Sequence, residues 1–325
     1  MKFSIIICTY NPNLIIFNKL INSILRINNL SPGNEVIIVD NNSTNSLEKF
    51  SNIQNLSNLD IKVIKEDKPG LTSARIAGIK ITKYEWIVFF DDDNEPEPDY
   101  IIKATSAINK YLKVGAWGPG NINVVYSDNA DEWLETKKDL FQQRNEIITS
   151  FAGTKNWQSC YPFGTGMIIN RKIAFEYADR VESGRYTLTD RKGKSLSSGG
   201  DVQLVLTAID IGYEAGTIAG MSLNHLIDSS KANLSYLVKQ QYGTASAYVN
   251  AYNQVFIKDK LDVGKVSNLS IIKKIYTLYR VNYYGLKKED FSLLVSKRMG
   301  EMNAAVSAKG SLKPLLLKIY EKIIR

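Results

Sequence analysis

Three consecutive carboxylates, Asp91, Asp92 and Asp93, directly follow the apolar run Trp86 to Phe90 (WIVFF). Adjacent carboxylates repel one another, and a structural role rarely needs more than one of them, so this run calls for a cation. Alternate residues of an extended segment point to the same side. Asp91 and Asp93 are therefore expected to converge on one ligand while Asp92 faces elsewhere. Mg²⁺ or Mn²⁺, held by one or two carboxylates and completed by substrate phosphate oxygens, suits that supply. Glu97 and Asp99 read instead as acids at the start of a helix.

Four further sets of residues each admit a chemical and a bland reading. Asp40, at the tip of VIIVD, either caps the turn made by Asn41, Asn42 and Ser43 or accepts hydrogen bonds from a base N–H or a ribose hydroxyl. Asp201 follows Gly199 and Gly200 and opens a helical period of Leu204, Val205, Ala208 and Ile209. Its bland reading is a cap on that helix. His225, the only histidine, is either a satisfied core residue or a ligand to a metal or phosphate. Trp157, Tyr161 and Phe163 are either ordinary core or a platform on which a sugar ring stacks.

The elements that must position these groups follow from the apolar pattern. Phe3 to Cys8, Val36 to Val39, Ile61 to Ile64 and Trp86 to Phe90 have strand length, and three of them lack polar alternation. Strands buried on both faces read this way, which implies a parallel sheet covered by helices. Leu14, Phe17, Leu20, Ile21 and Ile24 form a helical period in the first gap, and Leu71, Ala74, Ile76, Ala77 and Ile79 form another in the third. The expected order is β-α-β-α-β-α-β, an α/β sheet whose ligands bind beyond the carboxyl ends of the strands. Thr9, Tyr10 and Asn11, then Asp40 to Ser43, then Asp91 to Asp93 all fall at that edge. Pro98 and Asp99 open a helix from Tyr100 to Tyr111. The middle third, 116 to 226, is less regular, aromatic and glycine-rich.

Composition bounds the remaining choices. A chain of 325 residues with 44% hydrophobic content can bury a full core. Two cysteines, Cys8 and Cys160, cannot build a disulfide framework, which points to a reducing compartment, and no segment reads as a membrane span. The expected location is the cytoplasm, at most peripheral at the inner face of the membrane. The formal charge of +8 is uneven: residues 231 to 325 carry 17 Lys and Arg against 6 Asp and Glu, a net of +11. The Gly164-Thr165-Gly166 turn is no dinucleotide fingerprint, because a strand-like run follows it instead of a helix. A glycine-rich phosphate loop ending in Lys-Ser/Thr is also missing, which argues against a P-loop enzyme.

Together these segments resemble the family-2 type glycosyltransferases with the GT-A fold. SIIICTYN, VIIVDNNST, KPGLTSARIAGI and FFDDDNEPEPDYI carry the likeness over residues 3 to 108, the last in place of that family's Asp-x-Asp segment. It continues at YPFGTGMIINR and SSGGDVQL, and more weakly at LNHL, to about residue 230. The resemblance implies a Rossmann-like nucleotide-binding half over 1–115 and an acceptor-binding half over 116–230, a mostly parallel sheet flanked by helices, and a basic helical region over 231–325. It implies that Thr9, Tyr10 and Asp40 contact the nucleobase, with Asn11 and Asn42 in the same loops. Arg75 then lies near the base or phosphates, and Asp91, with Asp92 beside it, near the ribose. Asp93 would ligate Mn²⁺ or Mg²⁺ under the diphosphate, His225 would be a further ligand, and Asp201 the catalytic base. One departure stands out: Gly200-Asp201 occupies the place of the family's usual Glu-Asp pair.

The activity so implied is inverting transfer from a nucleotide-diphospho-sugar, a UDP-sugar first, to a saccharide or lipid-linked acceptor, in the building of a bacterial surface polysaccharide. The alternatives are a sugar-phosphate nucleotidyltransferase and a nucleic-acid-binding protein. CTYNPN lacks the Gly-rich, basic phosphate loop expected of the first, and no nucleic acid is expected as a partner. The basic segments Leu269 to Tyr284 and Leu312 to Ile324 suit an anionic membrane, packing on the catalytic domain, or a second subunit in a homodimer.

Overall fold

The computed structural model describes residues 1–28, 30, 33–44, 47, 53, 56, 59–127, 130–188, 190, 198–282 and 285–324. The chain divides into two compact units, Met1–Gly184 with Leu204–Ser229, and Arg185–Gln203 with Ser230–Arg325.

In the first unit the order is β1 (Phe3–Thr9), α1 (Leu14–Leu25), β2 (Glu35–Asp40), β3 (Asp60–Lys65), α2 (Leu71–Lys80), β4 (Trp86–Asp91), β5 (Asn94–Pro96), α3 (Tyr100–Lys110) and β6 (Val114–Tyr126). A short α4 (Glu132–Glu135), β7 (Arg144–Asn145), β8 (Ser150–Ala152), β9 (Ile168–Asn170), α5 (Arg171–Glu182), α6 (Gly200–Asp210), of which this unit has the part from Leu204 on, and β10 (Glu214–Ile227) follow. These strands form one ten-stranded sheet in the order β3-β2-β1-β4-β9-β6-β10-β5, with β7 on β6 and β8 on β10. The β1/β2, β2/β3 and β1/β4 ladders are parallel, as the uninterrupted apolar runs of β1, β2 and β4 imply for a covered sheet. Beyond β4 the sheet is mixed: β9 runs antiparallel to both β4 and β6, while β6 and β10 are parallel.

Alternation along β1 shows how both faces are covered. Phe3, Ile5 and Ile7 join Phe17, Leu20, Ile21 and Ile24 of α1 in one buried cluster. Ile6 points the other way, toward α2, where a Cβ on Gly78 would stand 2.8 Å from Ile6 Cγ2 and 3.2 Å from Val39 Cγ2. Fully burying one such side chain contributes about 1.5–3 kcal/mol. This is what makes the sheet a rigid mount for its edge. Asn13 caps α1, its carboxamide oxygen accepting from the Ile15 and Ile16 N–H groups. Asp99 makes no such side-chain cap on α3 and pairs with Lys103 at 2.6 Å instead. The helix expected between β2 and β3 lies outside the described residues.

The second unit holds α7 (Leu234–Val255), α8 (Asn268–Asn282), α9 (Lys288–Ala308) and α10 (Leu315–Ile324). Tyr242, Ile271, Met299, Met302, Val306 and Leu317 form its apolar cluster. At Gly300 the backbones of α7 and α9 come so close that a Cβ would stand 2.5 Å from the Tyr242 carbonyl oxygen. Gln254 of α7 ties in the segment Arg185–Gln203: its Oε1 accepts from Thr187 N–H and Gln203 Nε2, both at 2.9 Å. Among the described residues no helix is long and apolar enough to cross a membrane.

Candidate active site

Register brings three sequence candidates to one end of the parallel strands. Thr9 pairs with Asp40 across β1/β2, and Cys8 with Asp91 across β1/β4. Side chains then knit the strand exits together. Thr9 Oγ1 donates to Asp92 Oδ2 at 2.6 Å. Asp40 Oδ1 accepts from the Ser43 N–H at 2.9 Å, the turn-capping contact its sequence allows. Asn11 donates its N–H to Ser43 Oγ at 2.8 Å, and its Oδ1 accepts from Thr44 N–H and Oγ1, both at 2.9 Å. Asn11 and Asn42 have φ of 46° and 65°, left-handed values that asparagine tolerates better than most residues. Tyr10 stays exposed at 59%.

Arg75, on α2, is buried, with its guanidinium carbon 5.8 Å from the Phe89 ring centroid. It shares an environment with Asp91, Asp92 and the Cys8 thiol. Burial pushes that thiol up to about 12; the charge of Arg75 opposes the rise, and Asp91 and Asp92 add to it.

The carboxylate run itself departs from the extended-segment expectation. β4 ends at Asp91, and residues 92 and 93 form a turn into β5. Spacing along a strand therefore does not decide where these side chains point; the turn does. Asp92 engages Thr9, and Asp91 Oδ2 accepts from Thr165 Oγ1 at 3.3 Å. Asp93 is nearly buried and turns toward β10. Asn94 locks the turn, its Oδ1 accepting from the Asp91 N–H and its Nδ2 donating to Asp93 Oδ1, both at 3.1 Å.

Antiparallel pairing of β5 with β10 sets His225 opposite Asn94 and hence beside Asp93. His225 Nε2 lies 3.4 Å from Asp93 Oδ1, and Nδ1 lies 2.8 Å from the Phe141 carbonyl oxygen. A carbonyl only accepts, so Nδ1 carries a proton and donates, which leaves Nε2 facing the Asp93 carboxylate. A histidine fixed through its second nitrogen in this way is a common support for a metal ligand. Among the described residues no cluster of three or more His, Cys, Asp and Glu forms a closed cage. Asp93 and His225 are two donors side by side, so a cation held there would take its remaining positions from substrate and water. Asn94, Thr165 and the Phe141 carbonyl hold Asp91, Asp93 and His225 in place, although the sequence marked none of them as candidates.

The aromatic residues are less open. Tyr161 is wholly buried and its hydroxyl donates to the Thr154 carbonyl. Trp157 packs edge-on against it with centroids 5.5 Å apart, and the Arg144 guanidinium covers Phe163 at 4.1 Å. Both keep partial exposure.

Asp201 and Gly200 belong to the second unit, at the first two positions of α6. Asp190, a buried residue, holds the backbone at Gly199 and Gly200: its Oδ1 accepts from the Gly199 N–H at 2.8 Å and the Gly200 N–H at 2.7 Å. Two backbone donors on one carboxylate fix the start of the helix that carries Asp201.

A search of the curated proteins finds no match. Among solved structures the chain is similar to Staphylococcus aureus TarS residues 1–349, with a TM-score of 0.50 and 15% identity over 96% of this chain and 92% of that one. It is also similar to the mannosyltransferase PcManGT of Pyrobaculum calidifontis, with a TM-score of 0.56 and 14% identity over 99% and 79%. For GalNAc-T7 the TM-score is 0.54 and the identity 15%, over 94% of this chain and 56% of that one. At such identities the likeness establishes the GT-A fold alone. The family model of glycosyl transferase family 2 matches residues 4–177, more than half of the chain and the whole run of strand exits just described. With the sheet edge, the acidic turn and the fold agreeing, the chain belongs to glycosyl transferase family 2 and is a glycosyltransferase.

Proposed function

We propose that this enzyme moves a sugar from a nucleotide-diphospho-sugar to an acceptor hydroxyl with inversion, assisted by Mn²⁺ or Mg²⁺. The observation that carries the reading is the Asp93 and His225 pair, 3.4 Å apart, with the imidazole oriented by Phe141. Two donors at that separation suit neighbouring positions around one cation with ligand bonds of about 2.1 Å. A bound cation would neutralise the charge that develops on the departing diphosphate. Similar structures agree in kind: TarS residues 1–349 are known in complex with UDP-GlcNAc, and PcManGT in complex with GDP-Man and Mn²⁺.

In this reading the loops of Thr9, Tyr10, Asn11, Asp40 and Asn42 hold the nucleobase, and Asp91 and Asp92 the ribose side. Arg75 sits behind them as a buried positive charge. Asp201 takes the proton of the acceptor hydroxyl as that oxygen attacks the sugar carbon from the side opposite the diphosphate. No covalent intermediate on the protein is needed. The acceptor is a saccharide or lipid-linked saccharide of a bacterial surface polysaccharide, and UDP is the first nucleotide to try.

Incubation with Mn²⁺ and a panel of nucleotide sugars, read as release of nucleotide diphosphate, tests the proposal. One nucleotide sugar should be turned over, and release should stop on chelation. Asp93→Ala should abolish metal-dependent nucleotide binding, and His225→Ala should weaken it while the melting temperature stays near wild type. A His225→Ala protein that melts early yet keeps the wild-type Mn²⁺ titration would overturn the ligand role.

A further inference from the structure

We infer that α8 and α10 form a surface that seats on an anionic lipid interface, a role independent of the transfer chemistry. The apolar sector of α8 is wider than the face it packs. Ile271, Ile275 and Leu278 turn inward. Leu269, Ile272, Tyr276 and Tyr279 continue the sector at helical spacing yet are 46% to 61% exposed. α10 repeats the arrangement: Leu317 is buried, whereas Leu315, Ile319 and Ile323 are 43% to 74% exposed along one stripe. The helices are neighbours, since Ile271 and Leu317 share one apolar cluster and the Leu316 N–H donates to Asn268 Oδ1 at 3.1 Å. Two neighbouring helices thus leave seven large apolar or aromatic side chains to water.

Charge decides what covers it. Lys273 and Arg280 border the α8 stripe, and Lys318 and Lys322 border that of α10. Arg298 and Lys313 in the same unit are neutralised by Glu301 and Glu321. Among the described residues the four bordering cations make no ion pair. α8 contains no acid, and the single acid of α10, Glu321, is occupied by Lys313 and by the Tyr242 hydroxyl at 2.7 Å. A second copy meeting this face would bring like charges together, within a region of net +11. Anionic headgroups supply the missing counter-charge. The leucines and isoleucines would enter the acyl boundary, and the tyrosines would stay at headgroup depth with their hydroxyls wet.

Co-sedimentation of the full chain with phosphatidylcholine vesicles, and with equal mixtures of phosphatidylcholine and phosphatidylglycerol, tests this. Sedimentation should require the anionic lipid and fall at high salt. Two variants separate the contributions: Ile272→Gln with Tyr276→Gln and Ile319→Gln, and Lys273→Gln with Arg280→Gln, Lys318→Gln and Lys322→Gln. All seven side chains are exposed, so both variants should melt as wild type while binding falls roughly tenfold or more. Equal binding to neutral vesicles, no binding to either, or retention by both variants would overturn the inference. Self-association that the apolar variant abolishes, with no vesicle binding, would assign the face to a second copy and overturn it equally.

Discussion

Asp201 can be judged by one atom exchange. At the first turn of α6 an aspartate also interacts favourably with the helix dipole and can cap, effects worth about 1 kcal/mol. An asparagine still caps but does not take a proton at neutral pH. Asp201→Asn should therefore fold and bind donor as wild type, with kcat lower by about 10² to 10⁴. Single-turnover transfer to the true acceptor measures this, and a near-wild-type rate would remove Asp201 from the chemistry. At this scale the sequence disclosed which residue types stand at the strand exits, but not their partners. Asp91 meets Thr165 and His225 meets Phe141 across separations of 74 and 84 residues, and pairings so remote leave no local trace. Even the three aspartates diverge as they do because a turn, invisible in their spacing, intervenes at 92 and 93.

Elements differ in legibility for a physical reason. β1, β2 and β4 are buried on both faces and read as unbroken apolar runs. The long strands β6 and β10 pair over most of their length, yet β6 reads VGAWGPGNINVVY and looks like a loop. Its glycines answer to close approach: a Cβ on Gly120 would stand 2.5 Å from the Ile218 carbonyl oxygen, and one on Gly118 2.7 Å from Pro162 Cβ. The same logic predicts the cost of filling the turn before β9. Gly166 has φ of +68°, and a Cβ there would stand 2.5 Å from both Leu223 Cδ2 and the Tyr100 hydroxyl, which bonds the Gly166 carbonyl. Gly166→Ala should destabilise by about 1–3 kcal/mol. It should also weaken donor binding by shifting Thr165 against Asp91. Urea unfolding and nucleotide titration read the two effects, and an unchanged midpoint would show that the turn relaxes freely.

At the scale of the whole molecule, one source of acid sensitivity lies at the end of the sheet opposite the site. Glu35 is buried at the start of β2 and accepts from Ser4 Oγ and the Lys83 N–H, both at 2.6 Å, and from Lys62 Nζ at 2.8 Å. Burial by itself would raise this carboxyl, but the bonds from Lys62, Ser4 and Lys83 outweigh it and hold the group below its ordinary value. A depressed carboxylate stabilises the fold fully above the unfolded value of about 4.3, and that stability is lost as pH falls through the folded value. Glu35→Gln should cost about 1.5–3 kcal/mol at neutral pH and flatten the decline in melting temperature on acidification. A variant with the wild-type slope would shift the sensitivity elsewhere. At this scale there is also a consequence for inheritance. The chain passes between its two units at 184, 203 and 229, and the inserted piece Arg185–Gln203, held by Gln254 of α7, carries Asp201. No single crossover between genes could exchange the helical unit as a cassette. A recombinant joined at 230 would bring a foreign α7 to a native 185–203 segment, whose Thr187 and Gln203 bond Gln254 of the native helix.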